Sequence, residues 1–160
     1  MAEQYPGKDK VKSRIERYCI LQDRCQEEVR LKLVSMGCNY SEVNDWLFYL
    51  ISEGFVNEER FARSFVRGHF RMKHWGRNLI RKHLQAKKIS VPNIKIALEQ
   101  EIGADEYLQT IRTLLAKKER IEGLSRNKPI DAQKLIRFLI GKGFEFSSIQ
   151  ECLEEDNGSI

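Results

Sequence analysis

Eleven lysines and arginines and all three histidines lie between Arg60 and Lys95, a stretch that contains no aspartate or glutamate. The whole chain carries +5, so the residues outside this stretch sum to −6. A block without internal carboxylates cannot neutralise itself locally, and it offers an electrostatic footprint for a polyanion. The opposing reading is a solvated face balanced by acids that the fold brings near. The length of the block and its histidines favour a nucleic acid or a nucleoprotein surface. The candidate contacts are Arg60, Arg63, Arg67, Arg71, Lys73, His74, Arg77, Arg81, Lys82, Lys87 and Lys88.

Spacing supports that choice. On a helix beginning near Asn57, the arginines at 60, 63, 67 and 71 span only about 80° of the circumference. Phe61, Phe65 and Met72 fall on the other side, with Ala62 and Val66 completing the expected buried sector. Only Glu59 stands four residues from one of these arginines, so pairing within the helix cannot account for the stripe. A following helix from about Gly76 adds Arg77, Arg81, Lys82, Lys87 and Lys88. The link between them places Trp75 inside the basic run. A single strand uses such rings for base stacking, although a tryptophan at a helix junction also serves as core. His69, His74 and His83 are five and nine residues apart, which excludes a shared helix face of metal ligands. They are expected to act as extra hydrogen-bond donors, charged only at mildly acidic pH.

Catalytic and metal signatures are missing from the sequence. Cys19, Cys25, Cys38 and Cys152 form no C-x-x-C pair and fit no usual zinc spacing. Gly141-Lys142-Gly143 is a turn between helices, not a phosphate loop. No Ser-His-Asp, Cys-His or H-E-x-x-H layout occurs, so a non-enzymatic protein without cofactor or metal is expected. No run approaches the ~18 apolar residues of a membrane span, and the first ten residues do not read as a secretory signal. A cytoplasmic address is expected, with no membrane partner.

These side chains must be positioned by helices. Val29, Leu33, Gly37, Val43 and Leu47 step by four, four, six and four. The same ruler recurs in Ile80, Leu84, Lys88, Ile94 and Leu98, and again in Leu135, Leu139, Gly143, Ile149 and Leu153. Steps of four keep one helix face, and the step of six crosses a turn whose glycine can end the first helix left-handed. Amphipathic segments at about 57–72 and 105–120 add a third helix to each later unit. The expected architecture is all-α, an elongated array of three tandem three-helix, helix-turn-helix-like repeats. Its divisions are a flexible N-terminus (1–12), repeats at 13–56, 57–103 and 104–155, and a flexible tail (156–160). Lys88 replaces glycine at the second turn. Either that helix ends differently, or a lysine is tolerated there at a cost of about 1 kcal/mol.

Four short patterns, in order on this ruler, resemble the RecX family, regulators of the RecA recombinase, over roughly residues 14 to 155. They are Asp23-Arg24-Cys25-Gln26-Glu27-Glu28-Val29, Gly54-Phe55-Val56-Asn57-Glu58-Glu59-Arg60-Phe61-Ala62, Trp75-Gly76-Arg77, and Phe138-Leu139-Ile140-Gly141-Lys142-Gly143-Phe144. Cys25 stands where the family usually has serine, which would cost a helix cap, and Lys88 where it usually has glycine. The resemblance implies a curved monomer in the groove of the RecA filament on single-stranded DNA. There it would inhibit ATP hydrolysis, strand exchange and co-protease activity, and so regulate homologous recombination, DNA repair and the SOS response. Two other readings stay open: a stand-alone helix-turn-helix DNA-binding protein, and a helical array whose arginines meet acidic side chains of another protein.

Overall fold

A computed structural model describes residues 7–155. Among them every regular element is an α-helix: α1 (Lys8–Leu21), α2 (Gln26–Ser35), α3 (Tyr40–Ser52), α4 (Glu58–Arg71), α5 (Arg77–Ala86), α6 (Val91–Glu101), α7 (Ala104–Glu122), α8 (Pro129–Gly141) and α9 (Phe146–Glu155). They fall into three successive units of three. Residues 1–6 and 156–160, the outer parts of the expected flexible ends, lie outside the described residues. The expected mobile N-terminus is corrected at residues 8–12, which form the first turn of α1 and bury Val11.

The hydrophobic ruler marks the core. Its eleven apolar members up to Ile149 are all buried, and Leu153 is partly so. The turn repeats atom for atom. The N–H of Cys38, Ile89 and Phe144 reaches back to the carbonyl of Leu33, Leu84 and Leu139, each at 3.1 Å. The preceding residue, Gly37, Lys88 or Gly143, bonds three residues back with φ of 90°, 61° or 96°. This is the two-bond left-handed helix ending that satisfies carbonyls no helical N–H can reach. Lys88 therefore adopts the glycine conformation rather than avoiding it.

Local chemistry starts the helices where expected. Asn57 is extended, and its side-chain oxygen accepts the Arg60 N–H at 2.8 Å, with Glu58 and Glu59 in the positive first turn of α4. Helix α6 carries Pro92 as its second residue, where the missing N–H is no loss in a first turn. The Glu58 carboxylate accepts from Ser90 Oγ and Asn93, tying that opening to the start of α4.

Two cores result rather than three. The first unit packs on itself around Val29, Leu33, Trp46 and Leu50. The second and third share one continuous core, in which the Tyr107 ring lies 5.8 Å from Phe70 and 5.2 Å from Phe144. The single buried residue the first unit lends to that core is Cys25. All four cysteines are buried. Met72, expected inside, is 83% exposed at the last turn of α4, and Phe70 takes the interior position instead.

Candidate nucleic-acid interface

The arginine stripe exists, but it is not bare. On α4, Arg63 and Arg67 converge on one carboxylate, Glu101 at the end of α6, with N–O distances of 3.2 and 3.1 Å. The hydrogen bond from Arg67, joined by Arg63, holds the Glu101 carboxyl below the ordinary carboxylate range. At the ends of the stripe, Arg60 meets Asp23 at 2.8 Å and Arg71 meets Glu106 at 3.4 Å. The expectation of an unopposed cationic ridge is corrected here. Acids 34 to 38 residues away along the chain neutralise the arginines, although all four side chains keep roughly half their surface exposed.

Much of the remaining charge joins units together. Arg60 also donates to the carbonyls of Gly54 and Phe55, clamping the link between the first two units. Lys87 pairs with Glu28 at 2.9 Å and Lys88 with Glu27 at 3.4 Å, both acids in the first turn of α2. Cys25 precedes that helix in the N-cap position, and its N–H is taken by Glu28 Oε2 at 3.2 Å. The Cys25 sulfur in turn faces the Glu28 N–H, so the departure from serine keeps both arms of the capping box, against the expected loss of a cap, and places a buried sulfur at the joint.

The other joint is built from backbone. Gly76, at the start of α5, has no side chain with which to cap that helix, and the third unit supplies the acceptors. Gly76 N–H donates to the Lys142 carbonyl at 2.8 Å, Arg77 N–H to the Tyr107 hydroxyl at 3.1 Å, and Asn78 N–H to the Gly143 carbonyl at 2.9 Å. The Tyr107 hydroxyl in turn donates a hydrogen bond to Glu145 Oε2; burial, then that bond, push its phenol well above the ordinary range. The Arg77 guanidinium lies 3.9 Å from the Tyr107 ring centroid and pairs with Glu145 at 3.6 Å. Arg77 is a joint residue.

Of the eleven candidates, Lys73, His74, Arg81 and Lys82 have no carboxylate within 4.0 Å among the described residues, and neither does Lys95. Arg81 takes only Asn78 Oδ1, at 2.9 Å. With Lys95 it borders a cleft between α5 and α6 of about 570 Å³ floored by Ile94, Leu98 and Ile102. Lys73 lies instead at the α4–α5 turn, 5.3 Å from the Trp75 ring centroid. The candidates therefore occupy an edge, two joints and two clefts rather than one surface.

An aromatic cluster went unrecognised in the sequence. His74 takes the left-handed conformation (φ 55°), one that histidine tolerates better than most residues. The chain reverses there, and Trp75 N–H bonds the His69 carbonyl at 3.1 Å. The Trp75 ring then sits 4.6 Å from both His69 and His83. His69 stacks on Phe65 at 3.7 Å and donates Nδ1–H to the Phe65 carbonyl at 2.8 Å. Burial lowers the His69 pKa, and Lys73, His83 and Lys87 push the same way. The i, i+4 spacing of Phe65 and His69 was the available signal; the part played by His83 needed the fold.

Fold and site define a tandem three-helix repeat protein, its central unit carrying both joint cations and open ones. The chain belongs to the RecX family. Residues 57–98 match the family's second three-helix domain and residues 105–153 its third. Regulatory protein RecX of Vibrio vulnificus is 25% identical over 134 residues, covering 84% of each chain. That of Bacillus cytotoxicus is 28% identical over 139 residues, 86% of this chain and 50% of the other. A crystal structure of regulatory protein RecX superposes with a TM-score of 0.80 at 26% identity, covering 91% of this chain and 72% of that one. RecX from Lactobacillus salivarius, at 23% identity, shares the fold with a TM-score of 0.82 over 93% of this chain and 96% of its own.

Proposed function

We propose that this chain is a regulator of recombination and DNA repair that binds the RecA–single-stranded DNA filament and restrains its ATPase, strand-exchange and co-protease activities. Membership of a family of regulatory proteins supports the regulatory part. The observation that carries the filament part is the pair of clefts flanking α5, bordered by Lys73 on one side and by Arg81 and Lys95 on the other. Such cations exchange only water and counterions when phosphate arrives, which favours association with a polyanion. The half-exposed arginines of α4 join them when phosphate or recombinase carboxylates replace Glu101 and Glu106. Regulation then needs no catalytic group, because a ligand that favours one filament state shifts the population by its differential affinity.

The experiment adds the protein to pre-formed RecA filaments on single-stranded DNA and follows ATP turnover. Turnover falls as the protein is added. Unchanged turnover at several-fold excess would overturn the reading.

A further inference from the structure

The aromatic cluster floors a cleft of about 730 Å³ between α4, the α4–α5 turn, the last turn of α5 and the α1–α2 turn. Its rings do not close on one another. His69 and His83 are tilted by 47° and 43° to the Trp75 plane, so neither imidazole stacks on the indole. Charge at the rim suits an anionic backbone. Asp23 and Glu28 are engaged by Arg60 and Lys87, whereas the Lys73 ammonium beside Trp75 is uncompensated among the described residues.

Gly68 is a second and independent observation. It sits inside α4, on the cleft wall, with no positive φ, and a Cβ built there would meet nothing within 4 Å. A helix-interior glycine destabilises its helix relative to alanine. Neither backbone conformation nor close packing requires one here. What its missing side chain does is leave the floor between Phe65 and Met72 open.

We propose that this cleft is a nucleobase site. An unstacked base of a single strand lies against Trp75 between His69 and His83, with its neighbouring phosphate at Lys73. Stacking of this kind tolerates any base, since each has a π face. The proposal rests on the filament reading for the source of the strand and deepens it by naming what the protein would hold.

The chain has two tryptophans, and Trp46 lies in the core of the first unit, so a Trp46→Phe background leaves Trp75 as the only indole reporter. In about 50 mM salt, an oligothymidylate of about 15 nucleotides is compared with an abasic strand of equal phosphate count and with free thymidine monophosphate. The thymidylate strand should quench Trp75 and bind about tenfold tighter than the abasic strand. Gly68→Leu should erase that preference, keep the abasic affinity and not lower the thermal midpoint; Gly68→Ala should raise the midpoint. Equal affinity of the two strands, or a preference that survives Gly68→Leu, overturns the site. So does monophosphate binding as tightly as the strand, which would mark a free-nucleotide pocket. ATP turnover separates the two claims. Inhibition without base preference leaves the filament reading standing and removes the site, assigning the cleft to a recombinase side chain if Gly68→Leu also abolishes inhibition. Base preference without inhibition removes the filament reading and keeps the site.

Discussion

Gly76 and Gly143 meet backbone to backbone where the second and third units join: a Cβ added to Gly76 would lie 2.3 Å from the Gly143 carbonyl carbon and 2.4 Å from its oxygen. Those atoms are rigid main chain, so a methyl group there cannot be absorbed by a side-chain rotation. Gly76→Ala must therefore pry the start of α5 from the α8–α9 turn and strain or break three N–H bonds to the third unit. We expect a loss of about 2–4 kcal/mol in urea unfolding, combining overpacking with unsatisfied donors. Because the two units share one core, the transition should remain common to both. A variant as stable as the parent would mean that the units do not meet through this contact.

Lys88 carries a smaller strain of the same origin. Its φ of 61° is one that glycine adopts freely, and its ammonium, on a side chain 73% exposed, pairs with Glu27. Such an exposed pair contributes only ~0.2–1 kcal/mol after solvent screening, against about 1 kcal/mol or more for the left-handed backbone. Lys88→Gly should thus stabilise the protein by up to about 1 kcal/mol, read as a higher urea midpoint with unchanged slope. Lys88→Ala, which keeps the strain and loses the pair, should destabilise it.

The contrast between these residues shows what the sequence could and could not reveal. The ruler through Val29, Ile80 and Leu135 was legible because each helix pair must bury one apolar stripe, and burial imposes local periodicity. Position 88 was legible as an anomaly for the same reason. The partners of the arginines were not. Glu101 lies 34 residues from Arg67, and its approach follows from the packing of α6 on α4. Asp23, Glu27 and Glu28 reach the second unit only because the first docks on it. A carboxylate-free stretch of sequence is therefore not a carboxylate-free surface. Met72 misled because the helical angle alone ignores where a helix ends.

Acid should weaken the hold of Glu101 on the α4 arginines. Its carboxyl titrates below the ordinary range in the folded chain, whereas in the unfolded chain it returns to about 4.3. Above that ordinary value both states are ionised and the full stabilisation is present. As pH falls through the folded value, the carboxyl protonates and the stabilisation is lost. Glu101→Gln should cost about 1 kcal/mol at neutral pH, discounted for two half-exposed arginines, and progressively less in acid. Urea midpoints of parent and variant should converge below about pH 4. A gap that stays constant into acid would show that the pair contributes nothing through its charge.

The same substitution separates the two possible roles of the α4 edge. Reversing Arg63, Arg67 and Arg71 to glutamate would set three acids against Glu101 and Glu106, so a loss of binding could simply report a damaged fold. Glu101→Gln instead leaves both arginines in place and frees them. If the edge contacts single-stranded DNA, the variant should bind more tightly at low salt. Its log–log salt dependence should steepen by up to about 1.4, or 0.7 for each of two phosphates newly neutralised. Arg81→Gln and Lys82→Gln, on cations that oppose no carboxylate, should each flatten the slope by about 0.7 if they meet phosphate. Fluorescence anisotropy of a labelled strand between about 50 and 200 mM salt resolves changes of this size. A slope unmoved by Glu101→Gln but flattened by the α5 variants would confine DNA contact to α5 and leave the arginine stripe a structural element, its charge spent on holding α6 and the flanking units in register.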